Sequence, residues 1–284
     1  MTASRAWRRR LRLGIPTVLG FARRGFFIPY RYAGDVPAAG SRPAYAGIEC
    51  ILDGCRDSFA VWLDCMESYA AELQAIGDRP PPQPRWNQDW FPRLDAAMAY
   101  TVLRETRPRL VIEAGSGHST RFLARAVADG GLDTRIVAID PAPRADLAGL
   151  SCIEMQRCTV QQAGEAPFRA LQSGDILAID SSHILMPGTD VDMLFNRIFV
   201  DLPAGVLVHI HDIFLPDDYP TSWDWRGYNE QLGVAPLLAS GDWTVEFANH
   251  YAATRMADRV ARGVAARLPL PDGARESSLW LKKR

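Results

Sequence analysis

The stretch Leu110-Val-Ile-Glu-Ala-Gly-Ser-Gly-His-Ser-Thr120 decides how this chain is expected to fold. Its apolar start predicts a short buried strand, and the residues from Arg121 to Val127 predict a helix. Glycines at a strand-to-helix turn let the backbone approach a ligand closely, and the helix N-terminus turns free N–H groups toward that ligand. A ligand that carries a carboxylate and a ribose fits such a turn. The stretch therefore predicts a site for a nucleotide-like small molecule.

The spacing of this turn excludes two phosphate-binding patterns. A dinucleotide fingerprint, G-x-G-x-x-G, needs a third glycine where Thr120 stands. A P-loop, G-x-x-x-x-G-K-[ST], needs a lysine that the stretch lacks. The remaining pattern, E-x-G-x-G from Glu113 to Gly117, resembles motif I of class I S-adenosylmethionine-dependent methyltransferases. A structural turn without a ligand is the alternative interpretation of this turn alone.

A second strand with an acidic end supports the same cofactor. The run Arg135-Ile-Val-Ala-Ile-Asp140 is apolar and ends in a carboxylate. An acidic residue about 20 residues past the glycine turn is placed to accept hydrogen bonds from both ribose hydroxyls. An ordinary solvated aspartate is the alternative, but the two elements occur in the expected order. The residues predicted to bind S-adenosylmethionine are Glu113, Gly115, Ser116, Gly117, His118, Ser119, Thr120, Asp140 and Pro141.

The order of elements after residue 110 predicts the fold class. Strand patterns alternate with helical ones, which indicates a doubly wound α/β fold with its ligand at the carboxyl ends of parallel strands. Two strands near the end of the chain are expected to form an antiparallel edge hairpin. We therefore expect a Rossmann-like, mostly parallel seven-stranded sheet. The predicted strands are 110–114, 135–140, 152–157, 175–180, 205–212, 243–247 and 278–282.

The part of the chain before this sheet is expected to be a helical extension. Helical spacing of apolar residues covers 45–77, and Arg79-Pro-Pro-Pro-Gln-Pro84 predicts a stiff linker that stops the helix. We expect residues 1–84 to form a basic arm and a helical extension. Residues 85–284 are expected to form the methyltransferase domain.

The first 34 residues are strongly basic. They contain arginine at positions 5, 8, 9, 10, 12, 23, 24 and 31 and no acidic residue. Their apolar runs fall short of the roughly 20 residues that span a bilayer, and Arg23-Arg24 closes the first run in a way that fits a secretory signal poorly. A basic segment with aromatic residues is typical of contact with an anionic membrane surface. Packing on the core or on a partner subunit is the alternative.

Composition restricts the class of protein further. A chain of 284 residues, 48% hydrophobic and 23% charged, is ordinary for a globular protein with a full core. A net charge of −1 gives no general attraction to nucleic acid, and none is expected as a partner. The five cysteines form no C-x-x-C pair, which favours reduced thiols and a cytoplasmic protein. We also expect a homo-oligomer, with peripheral membrane contact through the arm.

Four of the five histidines are predicted to lie at one edge of the sheet. His118 is in the glycine turn, His183 follows the fourth strand, and His209 and His211 end the fifth. Because histidines without a shared role would be spread over the surface, this clustering favours a catalytic or ligand-binding role over a purely structural one. Two roles stay open: a general base, or ligation of a divalent ion such as zinc, iron or manganese. The predicted catalytic residues, which are also the predicted metal ligands, are Asp180, His183, His211 and Asp212.

Alternation along the fifth strand limits which of these side chains can face the site. His209 and His211 are two residues apart and share one face, whereas Asp212 points to the other. Either the histidines or Asp212 should therefore face the site, unless the strand has already ended.

Three motifs in this region are distinctive: Asp180-Ser-Ser-His183, Pro187-Gly-Thr-Asp190 and Pro203-Ala-Gly-Val-Leu-Val-His-Ile-His-Asp-Ile-Phe-Leu-Pro216. They resemble the family 24 type of class I methyltransferases, a family of mostly bacterial proteins. The likeness covers about residues 85–284. It implies S-adenosylmethionine as the cofactor and methyl transfer as the activity.

The chain is similar, more distantly, to the catechol-type metal-dependent O-methyltransferases. In those enzymes one Asp after the fourth strand and an Asp-Asn pair after the fifth bind magnesium. Asp180 and Asp212 match the two aspartates, but Ile213 stands where the Asn would be. A magnesium site of that type is therefore incomplete. If a metal binds, His183 or His211 must replace the missing ligand, which favours a softer ion than magnesium.

Together these patterns predict transfer of a methyl group from S-adenosylmethionine to an oxygen or nitrogen of a small molecule, with metal assistance left open. Glu113, Gly115 and Gly117 would hold the methionine end, and Asp140 the ribose. A metal-dependent hydroxylase or hydrolase on the same fold, using the His and Asp residues, is the alternative. A non-catalytic protein docked to a membrane by its arm is a third interpretation.

Overall fold

The computed structural model describes residues 3–284, with side chains from Trp7 onward. It contains two compact units, which we call the arm unit and the core unit. The arm unit comprises the segment up to Pro43 together with Tyr219–Gly227, and the core unit comprises Ala44–Asp218 together with Tyr228–Arg284. Arg5, one of the arginines of the predicted arm, lies outside the described side chains.

Seven strands form one sheet in the core unit: β1 (Leu110–Ala114), β2 (Arg135–Ile139), β3 (Ile153–Gln156), β4 (Ile176–Ile179), β5 (Leu207–Ile210), β6 (Trp243–Ala248) and β7 (Leu279–Lys283). Their order is β3-β2-β1-β4-β5-β7-β6. Strands β1 to β5 pair in parallel, while β7 runs antiparallel to both β5 and β6. The predicted Rossmann-like sheet with an antiparallel edge is confirmed.

Helices precede the sheet and connect its strands. The α-helices described are α1 (Ala3–Val18), α2 (Ala46–Asp53), α3 (Arg56–Glu67), α4 (Ala70–Gln74), α5 (Arg93–Thr106), α6 (His118–Gly130), α7 (Val160–Ala163), α8 (Asp190–Met193), α9 (Phe199–Asp201), α10 (Gln231–Ala239), α11 (Asn249–Arg255) and α12 (Ala257–Val260). Shorter 3₁₀ segments are Ala33–Asp35, Phe168–Ala170, Thr221–Arg226 and Val264–Arg267, and Leu194–Ile198 is a π-helix.

The central strands are buried on both faces, which explains their unbroken apolar sequences. Every residue of β1, β4 and β5 is buried. Parallel sheets covered by helices on both sides select such continuous runs, because no face of the strand meets water. Helix α5, whose residues 94–103 are all buried, packs beside α6 and supplies part of this cover.

Helices α2, α3 and α4, which precede the linker at residues 79–84, belong to the core unit, whose first segment begins at Ala44. The predicted domain boundary at residue 84 stays a prediction. Phe59 of α3 is fully buried. Its ring packs edge-on against Phe247 of β6 and Tyr251 of α11, with centroids 5.5 and 5.7 Å apart. Helical spacing in the sequence predicts these helices, but it does not specify which strand their apolar face covers.

The register of the parallel strands brings four chain segments to one edge of the sheet. Ala114 at the end of β1 pairs with Ile139 of β2 and with Ile179 of β4, and Ile179 pairs in turn with Ile210 of β5. The next residue of each strand therefore emerges at the same level. These residues are Gly115, Asp140, Asp180 and His211.

The arm unit consists of α1, an extended segment and the 3₁₀ segments Ala33–Asp35 and Thr221–Arg226. Among the helices of residues 3–284, none combines the length and apolar character that crossing a bilayer requires.

Candidate active site

The glycine turn after β1 lies directly against the end of β4. Gly115 has a φ of +85°, and a Cβ at this position would lie 1.9 Å from the carbonyl oxygen of Asp180. The N–H of Asp180 donates to the carbonyl of Ala114 at 2.9 Å. Gly115 is thus required by a neighbouring backbone segment, whereas a Cβ at Gly117 would meet no atom within 4 Å. Of the two glycines of the motif, Gly117 is the one that leaves open space at the turn.

Glu113 binds the first turn of α6. Its carboxylate accepts hydrogen bonds from the hydroxyls of Ser119 and Thr120, both at 2.6 Å. The Thr120 hydroxyl oxygen also accepts from the N–H of Gly117 at 2.9 Å. Burial raises the pKa of Glu113 to about 8, although the two hydroxyl donors oppose the shift. The predicted cofactor residues Glu113, Ser119 and Thr120 therefore form one buried unit that fixes the start of the helix.

Asp140 lies at the end of β2 and is tied to the glycine turn. Its Oδ2 accepts from the backbone N–H of Ser116 at 2.8 Å and from the Ser116 hydroxyl at 3.1 Å. Its Oδ1 accepts from the N–H of Ala142 at 2.8 Å. Asp140 is half-buried and the following Pro141 is exposed. The carboxylate is thereby held in a fixed orientation, with one side at the surface.

His118 opens α6 and lies beside an exposed aromatic side chain. Its ring meets that of Trp90 edge-on, with centroids 5.9 Å apart. Burial, reinforced by the charges of Arg121 and Arg85, lowers the pKa of His118 to about 4. His118 is therefore neutral near pH 7, and it does not contribute a positive charge to the turn.

The second part of the site is a cluster of histidines and carboxylates after β4 and β5. His183 is 2% exposed. Its Nδ1–H donates to Glu230 Oε2 at 2.8 Å. Its Nε2 lies 3.3 Å from Asp180 Oδ1 and 3.5 Å from Asp212 Oδ2. Burial alone would lower the pKa of His183, but contacts with these three carboxylates raise it well above its usual value.

His211 occupies a similar environment. Its Nδ1 lies 3.4 Å from Asp180 Oδ1 and from Asp212 Oδ1, and its Nε2 lies 3.5 Å from Asp95 Oδ2. Within the described part of the chain, neither ring nitrogen has a hydrogen bond of good geometry. Burial opposes the charged form, but Asp212 and Asp180 raise the pKa of His211 well above its usual value.

Asp180 joins the two imidazoles and is the most accessible member of the cluster. Its side chain is 34% exposed, compared with 7% or less for His183, His211 and Asp212. Burial would raise the pKa of Asp180, but His211 and His183 lower it well below its usual range. The carboxylate is therefore ionised and is the one charged group of the four that a ligand reaches directly.

Two residues of this cluster adopt left-handed backbone conformations. The φ angles of His183 and Asp212 are +59° and +58°. For residues other than glycine such angles cost on the order of 1–3 kcal/mol and concentrate at functional sites. Because β5 ends at Ile210, the turn at Asp212 lets both side chains join the cluster, with His211 facing Asp180 and Asp212 facing His183. Strict alternation, which would have placed only one of them there, no longer applies.

His209, the remaining histidine of β5, serves packing. Its Nε2 lies 2.9 Å from the hydroxyl of Ser278, and its ring packs on Trp280 with centroids 4.7 Å apart. Burial lowers the pKa of His209 to about 3, so this side chain is neutral.

Sequence analysis missed three residues that contact the cluster. Glu230 orients His183, Asp95 of α5 faces His211, and Ser277 donates its hydroxyl to Asp212 Oδ1 at 3.2 Å. Asp95 also accepts the backbone N–H groups of Ser277 and Ser278. An acidic residue inside the apolar pattern of α5 is the one signal that marks Asp95. Glu230 lies 47 residues after His183 and has no such signal.

The predicted metal ligands lie together, but their arrangement does not fit a metal ion. The imidazole nitrogens face carboxylate oxygens as ion pairs at 3.3–3.5 Å. No group of three or more His, Cys, Asp or Glu side chains among residues 3–284 could hold a metal as it stands. Metal binding stays a prediction, and we derive no catalytic step through it.

The seven-stranded sheet, with a glycine turn after β1 and an acidic residue after β2, agrees with the resemblance to class I methyltransferases that the sequence motifs indicated. The family model described as a methyltransferase domain, family 24, matches residues 112–213, from β1 to just beyond β5. Residues 112–213 therefore match a methyltransferase domain of this family, as the sequence motifs predicted. No match was found among curated proteins.

Several solved structures are similar to this chain at low identity. An O-methyltransferase from Bacillus cereus in complex with SAH has 12% identity and a TM-score of 0.41, over 89% of this chain and 96% of that one. The SAH-bound methyltransferase PaMTH1 from Podospora anserina has 12% identity and a TM-score of 0.40, over 92% and 99%. The O-methyltransferase TomG from Streptomyces achromogenes, in complex with SAM, has 14% identity and a TM-score of 0.40, and the match covers 78% of this chain and 89% of that one. At such TM-scores the likeness defines neither a ligand nor a substrate.

Proposed function

We propose that this protein transfers the methyl group of S-adenosylmethionine to a hydroxyl oxygen of a small molecule, with Asp180 at the acceptor. One observation carries the proposal. The glycine turn and the end of β4 are in backbone contact at Gly115 and Asp180. A cofactor on the turn would therefore lie next to the accessible carboxylate of the cluster, which is the proximity that an in-line transfer requires.

The cofactor end of the site follows from the glycine turn. Open space at Gly117 would accept the methionine part of the cofactor beside the N-terminus of α6. Asp140 would accept hydrogen bonds from the ribose hydroxyls, since Ser116 and Ala142 already fix its orientation. Glu113 would act indirectly, by fixing Ser119 and Thr120 at the start of the helix.

The acceptor end follows from the cluster. The acceptor hydroxyl would donate its hydrogen bond to Asp180, with its oxygen in line with the methyl group and the sulfonium sulfur. As the oxygen–carbon bond forms and the carbon–sulfur bond breaks, the hydroxyl proton is released to solvent along its hydrogen bond to Asp180. The sulfonium becomes a neutral thioether, S-adenosylhomocysteine, so charge and atoms balance. Positioning and proton removal are the two contributions that such a protein makes.

The histidines support this carboxylate. Glu230 holds the His183 ring with its Nε2 toward Asp180 and Asp212, and His211 lies on the other side of Asp180. Two cationic imidazoles would keep Asp180 ionised between turnovers and would stabilise negative charge on the acceptor oxygen. A nitrogen acceptor stays a second prediction, since the accessible Asp180 carboxylate would also pair with an amine.

Among the described residues, no contact favours the alternative of a metal-dependent hydroxylase or hydrolase. The four candidate ligands are engaged with one another as ion pairs. A homo-oligomer also stays a prediction, as does a cytoplasmic location.

Calorimetric titration with S-adenosylmethionine tests the cofactor half of the proposal. The wild type should bind, and Asp140→Ala should bind at least about 30-fold more weakly, since two hydrogen bonds to a charged group are lost. Asp133→Ala is the matched control, because Asp133 precedes the other end of β2 and is exposed. Absence of binding by the wild type would refute the cofactor assignment.

Transfer of a labelled methyl group tests the acceptor half. A panel of small phenols, hydroxy acids and amines, incubated with labelled S-adenosylmethionine, should give product with a hydroxyl acceptor. Asp180→Asn should lower kcat by about 100-fold or more while cofactor affinity is retained. Asp201→Asn, an exposed aspartate at the end of α9, serves as the control. Unchanged kcat in Asp180→Asn would remove Asp180 from the reaction without affecting the cofactor assignment.

A further inference from the structure

The arm unit exposes an unusual amount of apolar surface. Of the 17 large hydrophobic side chains that are exposed in the described chain, 12 lie between Trp7 and Val36. The most exposed are Phe21 at 81%, Phe27 at 65% and Trp7 at 64%. Large apolar patches on a protein surface mark a site of contact with another molecule or with a membrane.

Helix α1 is amphipathic, and its apolar side is the exposed one. Trp7, Leu11, Ile15 and Val18 fall within about 80° of one another on a helix that turns about 100° per residue. All four are exposed, at 64%, 38%, 50% and 58%. Such a row would be buried in an ordinary helix of a globular protein.

The opposite side of α1 is held within the arm unit by its arginines. The guanidinium of Arg9 lies 5.2 Å from the centroid of the Trp225 ring, and Arg10 pairs with Asp224 at 3.0 Å. The same loop, Thr221–Arg226, therefore fixes the polar side of the helix. As a result the apolar row faces outward.

Positive charge flanks this exposed apolar row. Arg8 and Arg12 lie next to it on the helix and are exposed, as are Arg23, Arg24 and Arg31 further along the segment. Residues 1–34 contain no acidic side chain. Basic side chains beside an apolar face that bears Trp and Phe are the combination that binds at the interface of an anionic bilayer.

We infer that the segment from Trp7 to Val36 is a membrane-docking surface, with α1 lying in the headgroup region of an anionic lipid bilayer. Charge complementarity selects this occupant. A second copy of the same segment would place its arginines against like charges. A nucleic acid would engage the arginines, but it would not bury the aliphatic row of α1.

Co-sedimentation of the full chain with large unilamellar vesicles tests the inference. Vesicles of phosphatidylcholine with about 30% phosphatidylglycerol should bind the protein, and pure phosphatidylcholine should bind it far more weakly. Raising salt from about 0.1 to about 0.5 M should weaken binding several-fold, because the charges are screened.

Two variants separate the charge from the apolar row. Arg8→Gln/Arg12→Gln should lower the partition coefficient about 30-fold, since each basic residue near the surface contributes about 1 kcal/mol, or about fivefold. Leu11→Glu/Ile15→Glu should lower the partition coefficient by at least the same factor. Val200→Glu, at a position that is 69% exposed in the core unit, is the matched control and should bind within about twofold of wild type.

Unchanged melting temperature and unchanged S-adenosylmethionine affinity in these variants establish that folding is intact. The inference is overturned if the wild type does not bind anionic vesicles at low salt, or if it binds neutral vesicles equally well. It is also overturned if both arm variants bind like wild type. A dimer in sedimentation velocity that Leu11→Glu/Ile15→Glu dissociates, without vesicle binding, would assign the surface to a second copy instead.

Discussion

The cluster around Asp180 and the exposed row on α1 depart from ordinary burial in opposite directions. In the cluster, two imidazoles and several carboxylates lie almost entirely away from water. On α1 and the segment after it, tryptophan, phenylalanine and aliphatic side chains are exposed. Charged groups are rarely buried unless they are paired, and large apolar patches are rarely left exposed.

The difference shows how each exception is stabilised. Ion pairs and hydrogen bonds within the core unit compensate the buried charges, so the cluster is stable without any other molecule. The apolar row of α1 has no comparable compensation in the described residues of the arm unit. The buried charges therefore indicate a site whose groups are stabilised within the protein. The exposed apolar surface indicates a site that another molecule would cover.

The largest expected effect concerns the contact that joins the glycine turn to the cluster. Gly115→Ala would place a Cβ against the Asp180 carbonyl at a φ of +85°. We expect the free energy of unfolding to fall by about 4 kcal/mol or more, from the clash and the strained backbone together. Denaturant unfolding measures this. Gly47→Ala in α2, where a Cβ meets no atom, should change stability by less than about 1 kcal/mol, and an equally small effect at Gly115 would disprove the contact.

A smaller effect is expected when the buried pairing is broken. Glu230→Gln removes the charge that faces His183 at 2.8 Å and should cost about 3 kcal/mol of stability. Because Glu230 positions His183, we also expect kcat to fall more than KM changes. The exposed pair of Arg135 with Glu154 provides the control, and Glu154→Gln should cost no more than about 1 kcal/mol. Equal losses in both variants would mean that burial adds nothing to the Glu230 pair.

The pH dependence of stability should reveal Glu113. Its folded pKa of about 8 exceeds the ordinary value of 4.5, so between these values the folded state binds more protons than the unfolded state. The free energy of unfolding therefore falls as pH rises through this window, by about 1.4 kcal/mol per pH unit from this group alone. Glu113→Gln cannot titrate and should lack that contribution. Identical slopes for wild type and variant between pH 6 and about 7 would contradict the raised pKa.

The smallest effect is expected in the arm unit. Leu11→Glu/Ile15→Glu should change the unfolding free energy of the core unit by less than about 0.5 kcal/mol, because both side chains are exposed. Thermal unfolding in the absence of lipid provides the measurement. A loss of several degrees would show that the row is packed against protein, and the contrast with the buried cluster would then disappear.

Much of the core unit was predictable because its signals are local. Continuous apolar runs between turns specify β1, β2, β4 and β5, and the residue after each run emerges at the carboxyl edge of the parallel sheet. This is why Asp180, His183, His211 and Asp212 could be named from sequence and are found together. The helical character of residues 45–77 was also predictable, but the place of helices α2, α3 and α4 in the core unit was not.

The sequence alone determined where the strands lie along the chain, the glycine turn at Gly115 and Gly117, and the edge where the polar groups meet, because hydrophobic periodicity and turn residues act over a few neighbours. Only the tertiary structure decided that Glu230 and Asp95 join the cluster, that the neighbouring carboxylates raise the pKa of both imidazoles, and that the apolar side of α1 is exposed. These properties depend on burial and on contacts between residues far apart in the chain, such as the 214 positions between Arg10 and Asp224. No local sequence pattern specifies a pKa or the exposure of a helix face, since both depend on the burial and the charged neighbours that distant parts of the chain provide.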